Sequence, residues 1–137
     1  MSEFVTENAH LLERGPRVRV RITSGGPSSV RGAARSAVDT DALVDTGSGR
    51  SLLHRDIPRA LGLEPVGAVE VDSVTSTDVP TPEFDVRFWF DDSLSVPVRA
   101  LATPLPVPQL RAVVGRDALA HLRFTYDGPG SRFVLSG

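Results

Sequence analysis

The chain has 137 residues, 15 basic against 17 acidic, a formal net charge of −2 and no cysteine. That is enough for one domain with a proper core and short for two full lobes, and so balanced a charge argues against a nucleic-acid partner. Thiol catalysis, disulfides and cysteine-ligated zinc are excluded, and because every basic residue is arginine there is no lysine for Schiff-base or phosphate-loop chemistry.

Residues 1 to 15 read as a polar arm, helical or loose, and the division expected is an arm over 1–16 followed by one domain over 17–137. The start Met1-Ser2-Glu3-Phe4 is acidic and no apolar run is long enough for a signal or membrane helix. A cytoplasmic protein without a membrane partner is expected. Arg17 to Ile22 alternates strictly, which predicts a half-buried strand with Val18, Val20 and Ile22 inward. Its arginine row reads as a solvated face rather than a partner-binding one. Residues 24–36 are a turn and small-residue loop without the spacing of a phosphate loop. Asp39-Thr40-Asp41 fails the calcium-loop template, and no metal or other cofactor is expected.

Ala42-Leu43-Val44-Asp45-Thr46-Gly47-Ser48 is an apolar strand running into an acid-threonine-glycine turn, and it occurs once. A carboxylate at the end of a buried strand is partly shielded from water, the turn can aim backbone N–H groups at it, and Gly47 lets another backbone come close. One such carboxylate per chain implies a site shared between two chains. Two carboxylates face to face share a proton, so one can activate water while the other protonates a carbonyl, with no metal needed.

Beyond the turn, Leu52, Leu53, Ile57, Ala60 and Leu61 have helix-like spacing that Pro58 interrupts, predicting one or two short helical turns. Val69 to Val74 and Phe84 to Phe90 predict two strands of a hairpin. Prolines 97, 104, 106 and 108 make Val96 to Leu110 an edge strand or extended connection. Ala112-Val113-Val114 reads as a buried strand, Gly115 as a close-packed turn and Asp117 to Leu122 as a short helix, with Asp117 its cap or dipole partner. Phe124 to Leu135 reads as a closing hairpin around Asp127-Gly128-Pro129-Gly130. His10, His54 and His121 are scattered, with His54 expected on a helix surface, and no serine lies in a Gly-x-Ser-x-Gly elbow.

Asp45-Thr46-Gly47-Ser48 and, downstream, Val113-Val114-Gly115-Arg116-Asp117-Ala118-Leu119 stand in an order and at a separation that resemble the retropepsin-like aspartic proteases, the family of the retroviral proteases and their bacterial relatives. The resemblance covers about residues 17 to 135. It implies a mainly β, closed-barrel acid-protease protomer with one or two short helices, paired as a homodimer, and an endopeptidase acting on peptide or protein substrates. Asp45 of each protomer would form the dyad holding the lytic water. The Thr46 hydroxyls would bond across the dimer, Gly47 would face the substrate backbone and Ser48 would hydrogen-bond near the carboxylates. Val113, Val114, Gly115 and Arg116 form the second signature, on a strand expected beside the Asp45 loop. The hairpin becomes the flap over substrate, with Val74, Thr75, Ser76 and Thr77 at a tip that lacks the retroviral glycines. Arg116 would pair with an acid just after the catalytic loop, but Gly49 and Arg50 stand there, so that brace is missing or rebuilt. The alternatives are a catalytically silent dimer of the same kind serving as a binding or assembly module, and a small ligand-binding barrel in which the turn is only structural.

Overall fold

The computed structural model describes residues 3–7, 10–25, 36–71, 79–105 and 109–137. In chain order the elements are β1 (Glu3–Glu7), α1 (Leu11–Arg14), β2 (Arg17–Ser24), β3 (Val38–Val44), β4 (Leu52–Leu53), α2 (Asp56–Ala60) and β5 (Gly67–Val71). They continue with β6 (Val79–Asp91), β7 (Leu94–Ala102), β8 (Ala112–Val114), α3 (Arg116–Leu119), β9 (Arg123–Asp127) and β10 (Arg132–Ser136). The fold is mainly β, as the alternating segments predicted.

Strands β2, β3, β8, β4, β7 and β6 pair in that order, and β6 returns to pair with β2, so the sheet closes into a six-stranded barrel. Closure covers the outer edges of β2 and β6 with each other, and among the described residues the first part of β7 keeps one side unpaired. The barrel is mixed: β3 runs parallel to β8 and β4 parallel to β7, while the other pairs are antiparallel. Its core comes from period-two alternation, with Val18, Val20 and Ile22 of β2 facing Val86 and Phe88 of β6 and Val96 of β7, all buried. Each such side chain contributes about 1.5–3 kcal/mol relative to leaving it in water. On the outer face, Arg21 meets Asp39 at 2.8 Å and Arg19 meets Asp41 at 3.4 Å, both pairs exposed. The arginine row is therefore a solvated face answered by the next strand.

Where it is described, the N-terminal arm is not loose. Its residues 3–7 form β1, which pairs antiparallel with β10 from Glu3↔Ser136 to Glu7↔Arg132 and completes a three-stranded sheet with β9. Phe4, Val5 and Thr6 are strand formers, and that preference outweighs the polar ends. Phe133 and Leu135 of β10 are fully buried and join this sheet to the barrel core.

Leu52 and Leu53, expected in a helical turn, are instead a two-residue strand between β8 and β7, and only Asp56–Ala60 is helical. Pro58 fits there because the first turn of a helix has no use for its N–H. The proline-rich stretch begins as β7, whose Pro97 lies opposite Arg87 of β6, before β4 joins at Leu101. Over that part β7 is an edge, as expected. The closing hairpin is β9 and β10, with the Phe124 and Phe133 rings 5.9 Å apart. The hairpin expected before Phe90 is β5 paired with the start of β6, from Gly67↔Glu83 to Val71↔Val79. Its expected tip, Val74 to Thr77, lies outside the described residues.

Candidate active site

β3 delivers Asp45 to the rim of the barrel. Its parallel partner β8 aligns Val44 with Val114, and the Asp45 N–H donates to the Val114 carbonyl oxygen at 2.9 Å, carrying the ladder one residue further. The two sequence motifs are thus neighbours in space. The chain then turns, with the Ser48 N–H donating to the Asp45 carbonyl oxygen at 3.2 Å.

The Asp45 carboxylate is half-buried and accepts a hydrogen bond from the Gly47 N–H at 2.8 Å. Among the described residues it has no other hydrogen-bond partner, so one oxygen stays available. A Cβ at position 47 would lie 3.1 Å from Oδ1, tight enough to disturb the carboxylate. Thr46 and Gly47 are exposed at the crest of the turn. Ser48 gives its hydroxyl proton to the Arg50 carbonyl oxygen at 2.6 Å, so the loop's own backbone takes that bond.

Behind the turn, Gly115 passes so close that a Cβ there would lie 2.5 Å from the Arg50 carbonyl oxygen and 2.9 Å from that of Ser48. Only glycine fits. The Arg116 N–H donates to the Ser48 carbonyl oxygen at 2.8 Å, and its guanidinium donates to the Thr46 carbonyl oxygen at 2.7 Å. Without an acid at Gly49 or Arg50, Arg116 braces the loop through backbone.

The charged brace is rebuilt by pairings that local pattern did not single out, among Arg50, Ser51, Glu83 and Asp117. Asp117 is not the N-cap of α3, which is Gly115, but it stands in the first turn as a dipole partner, its carboxylate accepting from the Ala118 N–H at 2.8 Å. Its carboxylate accepts from the Ser51 N–H at 2.9 Å and from the Ser51 hydroxyl at 2.6 Å. That hydroxyl, fully buried, accepts in turn from the Gly115 N–H at 3.0 Å. Arg50 Nη2 donates to Glu83 Oε2 on β6 and to the Arg99 carbonyl oxygen on β7, each at 2.7 Å, while Arg50 Nε lies 3.8 Å from Asp117. The available signals were Ser51 as a polar residue ahead of Leu52-Leu53, and opposite charges at Arg50 and Asp117 just beyond the two motifs.

His54 sits just ahead of α2, where its Nδ1 accepts from the Asp56 N–H at 3.1 Å, and takes no part in the turn. Among the described residues no cluster of His, Asp or Glu is placed to hold a metal, and no helix is long and apolar enough to cross a membrane.

No protein-family model and no curated protein matches the sequence. The structure does match solved ones. A retropepsin-like aspartic protease from Rickettsia conorii superposes with a TM-score of 0.61 at 11% identity, over 98% of this chain and 89% of that one. At that identity the likeness is one of fold: the protein has the retropepsin-like fold.

Proposed function

We propose that the protein is an aspartic endopeptidase in which Asp45 from each of two identical chains forms the catalytic pair. One carboxylate takes a proton from a water molecule while the other, protonated, gives its proton to the scissile carbonyl oxygen, and no covalent intermediate forms. The observation that carries this reading is the Asp45 carboxylate itself, held at the end of β3 by the Gly47 N–H and, among the described residues, with one oxygen unengaged. The exposed Thr46-Gly47 crest supports a partner loop packing there, with the Thr46 hydroxyl crossing to its counterpart and Gly47 against the peptide backbone. Ser48, Val113, Val114, Gly115 and Arg116 keep the turn in place, and the β5–β6 hairpin, with Val74 to Thr77 at its tip, covers the bound peptide.

Asp45→Asn tests the assignment, because an amide cannot accept the water's proton. The variant should keep the fold by circular dichroism and lose at least about 10²–10⁴-fold in peptide cleavage, the usual worth of acid–base catalysis. Ordinary turnover on a peptide library would remove Asp45 from the chemistry.

A further inference from the structure

Glu83 is the point where the β5–β6 hairpin leaves the barrel. From Glu83 onward β6 is paired with β7, whereas residues 79–82 pair only with β5. Pro80 and Pro82 fall on that two-stranded part, where a missing N–H costs no barrel hydrogen bond. At the root, the Glu83 carbonyl oxygen accepts from the Val66 N–H at 2.8 Å, and the Glu83 carboxylate accepts from Arg50 at 2.7 Å. Gly67 leaves room for that carboxylate, since a Cβ there would lie 2.7 Å from Glu83 Oε1.

Arg50 is five positions beyond Asp45, in the same loop. Its guanidinium therefore joins three structures: the carboxylate at the arm's root, the Arg99 carbonyl on β7, and Asp117 on α3. The Glu83 side chain is 13% exposed and that of Arg50 36%. With the Glu83 carboxylate mostly covered, water screens the pair less than one lying wholly on the surface, and breaking it has consequences.

We propose that Arg50 is a positioning residue that latches the β5–β6 arm to the Asp45 loop through Glu83, setting the arm's height over the bound peptide. The latch follows from the geometry; that the arm covers a peptide rests on the protease reading. Arg50 touches no reacting atom. Losing it loosens the arm and weakens peptide binding more than it slows the chemical step.

Amide hydrogen exchange and steady-state kinetics on Arg50→Met, Glu83→Gln and the double variant decide the matter. Exchange at the amides of 67–71 and of Val79, Thr81 and Glu83 should speed up about fivefold or more in either single variant, with Asp45 and Val114 unchanged, as expected for a coupling near 1 kcal/mol. KM should rise about five- to tenfold, with a smaller change in kcat. The double variant should be no worse than Arg50→Met alone. Unaltered arm exchange in both single variants, acceleration spread evenly over the barrel, additive effects, or an unchanged KM would each overturn the latch. If the arm loosens as expected but the normal protein cleaves no peptide, the latch stands and the protease reading fails.

Discussion

The Asp117 carboxylate grips Ser51 twice, at the backbone N–H and at the hydroxyl, across 66 residues of sequence. Ser51 is completely buried and hands its remaining acceptor capacity to the Gly115 N–H. The strand after the Asp45 turn and the helix after Gly115 are thereby fixed to each other by side chains rather than by sheet pairing. Ser51→Ala would leave a buried N–H without an acceptor and a carboxylate short of a donor. The expected loss is about 2–4 kcal/mol, read as a lower urea midpoint with an unchanged m-value.

Two glycines near the turn should separate folding from function. At Gly115 an added methyl would collide with backbone atoms of Arg50 and Ser48, none of which can rotate away. Gly115→Ala should cost about 3 kcal/mol or more and take activity with it. At Gly47 the close neighbour among the described residues is the Asp45 carboxylate. Gly47→Ala should therefore hold stability within about 1 kcal/mol while lowering cleavage about tenfold or more, since the displaced group is the reacting one. Thermal unfolding beside kcat/KM for the two variants checks the contrast.

The reach of the sequence is uneven for a physical reason. Features written in local period were legible: Val18, Val20 and Ile22 on one strand face, Val113-Val114 as a buried strand, the turn at Asp45. So was the closeness of the two motifs, through resemblance. Partner choice between distant polar residues has no period. Arg50 meets Glu83, 33 residues on, because the barrel closes there, and nothing near either residue announces it. Leu52-Leu53 misled for the opposite reason: two apolar residues fit a strand and a helix equally well, and only β8 and β7 on either side decide.

Asp127 makes the pH dependence of folding testable. Its carboxyl is held below the ordinary aspartate value, chiefly by the Gly130 N–H and then by Arg132. Asp91 is lowered by the Ser93 N–H, and Asp39 by its hydrogen bond from Arg21. A depressed folded value means the stabilisation is complete above the unfolded value, near pH 3.9, and disappears as the pH falls through the folded one. Asp127→Asn keeps an acceptor for the turn but removes the charge. Its urea midpoint should lie below that of the normal protein at pH 7, and the gap should close between about pH 5 and pH 2. A gap that persists at the acid end would mean the charge on Asp127 is not what stabilises the turn.

The sharing of one site by two chains is open to a direct test, because a mixed dimer of one normal chain and one Asp45→Asn chain has a single carboxylate and no acid–base pair. Such dimers should be nearly inactive. When subunits exchange, excess Asp45→Asn protein added to a fixed amount of normal protein should draw normal chains into mixed dimers and suppress cleavage, in proportion to the mixed species seen by native mass spectrometry. Dilution of the normal protein alone should lower activity per molecule as dimers part, with sedimentation following the same transition. A variant unable to dimerise should have no effect when added, which separates poisoning of the site from competition for substrate. Constant activity alongside abundant mixed dimers would mean that each chain works alone, and a second acid within the same chain would then have to complete the pair.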